Sequence, residues 1–118
     1  MADPRIKALR IKTGVVKRLA KEKVMYEREA GEQRQRIQKY KDEGKDEHEI
    51  RKQEEVLRES VMMIPDCQRR LVKAFDELKT LLETEAALSE AEEYIAAKKV
   101  LDEVEAQLPT SETLQHIC

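Results

Sequence analysis

Aromatic side chains are nearly missing from this chain: three Tyr, one Phe and no Trp, 3% of 118 residues. That leaves no platforms on which the bases of a nucleic acid would stack. Glycine and proline are as scarce, at three each. No apolar run approaches the roughly 18 residues of a membrane-spanning helix. The opening residues, MADPRIKALRIK, lack the apolar stretch of a signal peptide. The two cysteines, Cys67 and Cys118, form neither a disulfide framework nor a zinc-binding spacing. The expectation is a reduced, cytoplasmic protein.

What the chain has is charge. Asp, Glu, Lys and Arg make up 41% of it, for a net −2. Abundant Ala, Glu, Lys, Leu and Arg favour long helices, because these side chains lose little rotamer freedom there. A disordered tail can share this composition, so periodicity decides. The charge is also uneven. Residues 1–23 hold eight Lys/Arg against Asp3 and Glu22, a balance of +6, while residues 76–108 hold ten Asp/Glu against three Lys, a balance of −7.

Asp3-Pro4 reads as a helix start, with an N-cap acceptor followed by a residue that has no N–H to satisfy. Leu9, Val16, Leu19, Tyr26, Ala30, Ile37 and Tyr40 then recur in heptad phase, widened by Ile6, Val15 and Ala20 and interrupted by Lys12, Lys23 and Gln33. Gly44 suits the left-handed turn that ends a helix. Asp46 and Glu49 resemble a capping box for a second helix. Along it Ile50, Leu57, Ile64, Leu71 and Leu78 follow one another at seven-residue steps, the seam of helices packed side by side. Gln53, Ser60, Cys67, Ala74 and Leu81 form a companion row, and Val61, Phe75 and Leu82 a third. Pro65 interrupts the pattern in the middle, yet Ile64 and Leu71 keep their phase across it. The expectation is one helix kinked at Pro65 rather than two. Ser89 with Glu92 reads as a second capping box, followed by Tyr94, Ala97, Leu101, Val104 and Leu108 on one apolar face, until Pro109 stops the helix.

These signals predict an all-α fold: an antiparallel three-helix bundle with two long helices and a shorter third, packed like a coiled coil. The expected domain spans residues 1–108, with helices at about 4–43, 47–84 and 90–107, and residues 109–118 form a polar tail. Short connections make neighbouring helices antiparallel. The third helix then covers the second over residues 66–84 and the first half of the first helix. It leaves Tyr26, Ile37, Tyr40, Ile50 and Leu57 in a hairpin without a third partner. These residues either close on one another, the favoured monomer, or serve a dimer. The same layout sets the basic start of the first helix against the acidic end of the second and the acidic third, which explains most of the charge split without a nucleic acid.

No catalytic constellation is visible. His48 and His116 lie far from a Cys, Ser or carboxylate pair that would form a triad. Cys67 falls on the core stripe, where a thiol packs. Cys118 is not followed by the residues of a prenylation box. His116 and Cys118 are too few to specify a metal, and no glycine-rich phosphate loop occurs. The reading is a non-enzyme with no cofactor and no metal, acting by binding a partner. Around Pro65, Met62 and Arg69 fall on the face opposite the seam and Pro65 and Val72 lie between, so the four form one side at helical spacing. It is either a contact surface, or a side whose Pro65 and Val72 the third helix covers, leaving Met62 as an ordinary exposed residue.

Three stretches, KTGVVKRLAKEKVMYEREA (Lys12–Ala30), MMIPDCQRRL (Met62–Leu71) and EAEEY (Glu90–Tyr94), resemble the tubulin-binding cofactor A family in order and spacing. The similarity covers roughly residues 1–107 and is weakest over 31–48; the tail from Leu108 onward extends past the family pattern. The resemblance implies a three-helix bundle and an ATP-independent cytoplasmic chaperone, associated with the cytoskeleton. Such a protein captures β-tubulin released from the cytosolic chaperonin and holds it for the other tubulin-folding cofactors that assemble the α/β heterodimer. Neither a membrane nor a nucleic acid is expected as a partner, on the composition and charge pattern above. Because tubulin is acidic, Lys17, Arg18 and Lys21, off the first helix's seam, become candidates for steering it. Met62, Pro65 and Arg69 become candidates for direct contact. A structural coiled-coil adaptor is the alternative that heptads alone permit.

Overall fold

The computed structural model describes residues 3–108. It contains helices α1 (Pro4–Asp42), α2 (Glu47–Thr84) and α3 (Glu92–Glu105), with a 3₁₀ turn at Ala86–Leu88 before α3. No strand occurs among the described residues. The fold is all-α, two long helices and a shorter third, as the heptads and helix formers demand. Pro109, His116 and Cys118, with the rest of the predicted tail, lie outside the described residues.

Capping chemistry sets most of the ends. Asp3 Oδ1 accepts the backbone N–H of Arg5 at 2.8 Å, so α1 starts where Asp-Pro places it. At its other end the Gly44 N–H donates to Lys41 O at 3.2 Å and the Lys45 N–H to Tyr40 O at 3.0 Å. These are the two bonds of a Schellman motif, and Gly44 takes the positive φ of 68° that this motif requires. Asp46 Oδ1 then accepts the His48 N–H at 3.4 Å to open α2.

Helix α2 runs unbroken through Pro65, as the retained phase of Ile64 and Leu71 predicts. The start of α3 differs from the sequence reading. Ser89 does not cap it. Ser89 has helical backbone angles, φ −56° and ψ −21°, at the end of the 3₁₀ turn. The extended N-cap backbone belongs to Ala91, φ −69° and ψ 143°, which has no side-chain oxygen to offer. Tightening the chain into a 3₁₀ turn moved the helix start past the capping pattern.

The chain divides into two compact units. The first joins the described residues up to Ala20 with those from Gln68 onward, and the second is Lys21–Cys67. The first is a three-helix assembly around one core: Leu9, Val16, Leu19 and Ala20 of α1, Leu71, Ala74, Phe75, Leu78 and Leu82 of α2, and Ala97, Val100, Leu101 and Val104 of α3. Its helices are antiparallel, since Arg5 near the start of α1 meets Glu85 beyond the end of α2 at 3.7 Å. Tyr94 Oη donates to Leu82 O at 3.0 Å. This satisfies a carbonyl in the last turn of α2, where no intrahelical donor remains, and it ties α3 to α2.

The second unit is a two-helix hairpin closed by the Gly44 turn. Its buried apolar residues are Ala30, Ile37 and Cys67. Two polar residues on its seam are also buried, Lys23 at 7% exposure and Gln33 at 5%. The Gln33 amide nitrogen donates across the hairpin to Gln53 O at 3.1 Å and Gln53 Oε1 at 2.6 Å, and Lys23 Nζ meets Glu27 at 3.2 Å. Here one expectation fails. Val61, placed in a third apolar row, is 37% exposed, whereas Phe75 and Leu82 of that row are buried. A third row needs a third helix, and this unit has two.

Candidate functional site

The predicted charge complementarity in the first unit is realised by exposed pairs. Arg10 Nη2 meets Glu93 Oε1 at 3.5 Å and Lys12 Nζ meets Glu77 Oε2 at 3.4 Å, in addition to Arg5–Glu85. Such surface pairs contribute little to stability, so their role is to fix which faces meet. At the start of α1, hydrogen bonds from Arg5 hold the Asp3 carboxyl below the usual carboxylate range.

Beside the Lys12–Glu77 pair lies an open groove of about 630 Å³. Half-buried Val72 and Leu81 line it, with Arg69 and Lys73 towards one end of the α2 segment and Asp76 and Glu77 further along. The groove offers apolar floor and mixed charge but no nucleophile paired with a base. No cluster of three or more His, Cys, Asp or Glu able to hold a metal occurs among the described residues. None of the described helices is long and apolar enough to cross a membrane. Cys67, read as a packing thiol, is buried and not in a disulfide.

The six candidate contact residues divide between the units. Lys17, Arg18 and Arg69 belong to the first, and Lys21, Met62 and Pro65 to the second. Lys17, Arg18, Lys21 and Arg69 are exposed, and Pro65 is half-buried. Met62 is 74% exposed, the largest value among the exposed large apolar residues of the described chain. Arg69 lines the groove of the first unit together with Val72. In the second unit, Met62 has exposed neighbours at Val61 and Met63 on α2. Sequence reading missed the groove itself, as well as the burial of Thr13 and Val100. Thr13 returns its hydroxyl to Leu9 O at 2.6 Å, a local bond that hides a polar residue inside an apolar stripe.

The model of the tubulin binding cofactor A family matches residues 4–101, from the first residue of α1 into α3. The chain belongs to this family. Tubulin-specific chaperone A of Rattus norvegicus is 57% identical over 107 residues, covering 91% of this chain and 99% of that protein. Tubulin-folding cofactor A of Arabidopsis thaliana is 43% identical over 109 residues, covering 91% and 96%. The solved structure of human tubulin chaperone cofactor A superposes with a TM-score of 0.76 at 54% identity, over 86% of this chain and 99% of that one. All six candidate contact residues fall inside the part that the family model matches.

Proposed function

We propose that this protein is a tubulin-folding chaperone that captures β-tubulin after its release from the cytosolic chaperonin and holds it for assembly of the α/β heterodimer. The observation that carries the reading is the family match over residues 4–101, together with relatives named for tubulin folding at 57% and 43% identity. The protein works by holding, without cofactor or metal, in the cytoplasm beside the cytoskeleton. It works as a monomer and passes its client to the other folding cofactors. Lys17, Arg18 and Arg69 in the first unit, and Lys21, Met62 and Pro65 in the second, are the residues assigned to contact. Exposed cations steer an acidic client, and an exposed methionine adapts to irregular apolar surface.

Capture from cytosol tests the reading. The purified protein is expected to recover β-tubulin without α-tubulin, equally with and without added ATP or GTP. Recovery of coiled-coil proteins alone would replace the chaperone with a structural adaptor.

A further inference from the structure

The two units are held together by very different amounts of apolar burial. All thirteen residues of the hydrophobic core cluster belong to the first. The second buries Ala30, Ile37 and Cys67, and elsewhere on its seam Tyr26, Tyr40, Ile50, Leu57 and Ile64 remain half-buried. Six of the eight exposed large apolar residues among the described residues are also there: Val24, Met25, Val56, Val61, Met62 and Met63. Those six remain 37–74% exposed in the closed hairpin, and stabilisation follows the apolar area removed from water.

Polar seam positions reduce the margin further. Closing the hairpin leaves the Lys23 side chain only 9% exposed, with its Nζ 3.2 Å from Glu27. Desolvation of a charge opposes burial even where a partner is present. The Gln33 amide exchanges water for the Gln53 carbonyl and side-chain oxygen, so its net gain is small. Yet these bonds exist in one register only, which makes closure an all-or-none event at that level of the hairpin.

We infer that the second unit opens along its seam as one cooperative block under native conditions, while the first unit stays folded. Opening frees Ile37, Ala30 and their half-buried neighbours for a client. That last step rests on the chaperone reading above, whereas the opening itself does not. Segments that move in binding come from the least stable part of a fold.

Native-state hydrogen exchange of the full-length protein, without tubulin, tests this. Mid-helix amides of the second unit (Ala30, Arg34, Ile37, Leu57 and Ser60) are expected to share one protection factor. It should lie at least about thirtyfold below that of Val16, Leu71, Phe75 and Leu78. Equal protection in both sets would overturn the opening, as would protection graded residue by residue away from Gly44. Gln33→Leu with Gln53→Leu is expected to raise the hairpin's protection about tenfold and leave the first unit unchanged. If the double variant fails to fold, Gln33→Ala serves instead, with protection falling in the hairpin alone; a fall of equal size in both units would overturn the inference. An exchange gap without β-tubulin capture would support the opening and count against the chaperone reading.

Discussion

Asp3 starts α1 with two kinds of interaction. Its Oδ1 caps the Arg5 backbone N–H, and its Oδ2 accepts from Arg5 Nη2 at 2.8 Å. Because Arg5 depresses its pKa, the carboxylate supports the fold above the unfolded-state pKa, and the support is lost as pH falls through the lower folded value. Asp3→Asn keeps a capping oxygen but removes both the charge and the titration. The variant is expected to melt below the wild type at neutral pH. The two melting temperatures should converge once the pH is well under about 4. Melts followed by helical signal across pH decide it, and coincident melts at neutral pH would show the pair to be silent. Asp3, Gly44 and Asp46 were legible from sequence because each acts on backbone groups within a few residues of itself. The Gln33–Gln53 bonds were not. Both residues could be placed on their seams, but their meeting depends on the register that the Gly44 turn fixes.

At the scale of the elements, the missed start of α3 becomes an opportunity. Ala91 holds the extended N-cap conformation, and its carbonyl accepts the Tyr94 and Ile95 N–H groups, both at 3.1 Å. A side-chain oxygen there would add the acceptor for a first-turn N–H that Ala91 lacks. Ala91→Ser is expected to stabilise the protein by about 0.5–2 kcal/mol, read as a rise in thermal midpoint, while Ser89→Ala should change little. Loss of stability in Ser89→Ala comparable to a cap would restore the capping-box reading. The sequence pattern misled here because Ser89 and Glu92 have the right spacing, but a 3₁₀ turn placed Ser89 in helical backbone. Within α2, Pro65 has no N–H for the Val61 carbonyl. Pro65→Ala supplies that bond, with an expected gain of roughly 1–3 kcal/mol. If the proline shapes a surface that β-tubulin uses, the more stable variant captures less of it, the frequent opposition of stability and activity. Undiminished capture would show that the proline is only tolerated, and a less stable variant that the packing around it depends on it.

Taken whole, the molecule was readable to the degree that its heptads are apolar. Leu71 and Leu78 are fully buried, whereas Ile50, Leu57 and Ile64, in the same row at the same spacing, are half-buried. Periodicity names the face that turns inward, but the number of helices available to cover it decides the depth. The contact residues show a similar limit. Sequence alone marked Lys17, Arg18 and Lys21 as off the seam, and they are exposed, but exposure does not select a client. Reversing all three to Glu is expected to weaken β-tubulin capture and to flatten its dependence on salt, since steering between opposite charges is screened by ions. Circular dichroism must show helicity preserved. Unchanged capture at low salt would remove these three from the contact surface.

The placement of the tyrosines has an optical consequence. Tyr94 lies in α3 with its hydroxyl bound to Leu82 O, while Tyr26 and Tyr40 stand half-buried in the hairpin. With no tryptophan anywhere in the chain, emission from the isolated protein under light too red for Phe75 to absorb comes from these three rings alone. Light too red for tyrosine to absorb excites nothing in it. Any emission under such light, in a mixture with a tryptophan-bearing client, therefore belongs to the client. Replacing Tyr94 by Phe leaves a fluorophore pair confined to the hairpin, so its local environment can be followed without attaching a dye.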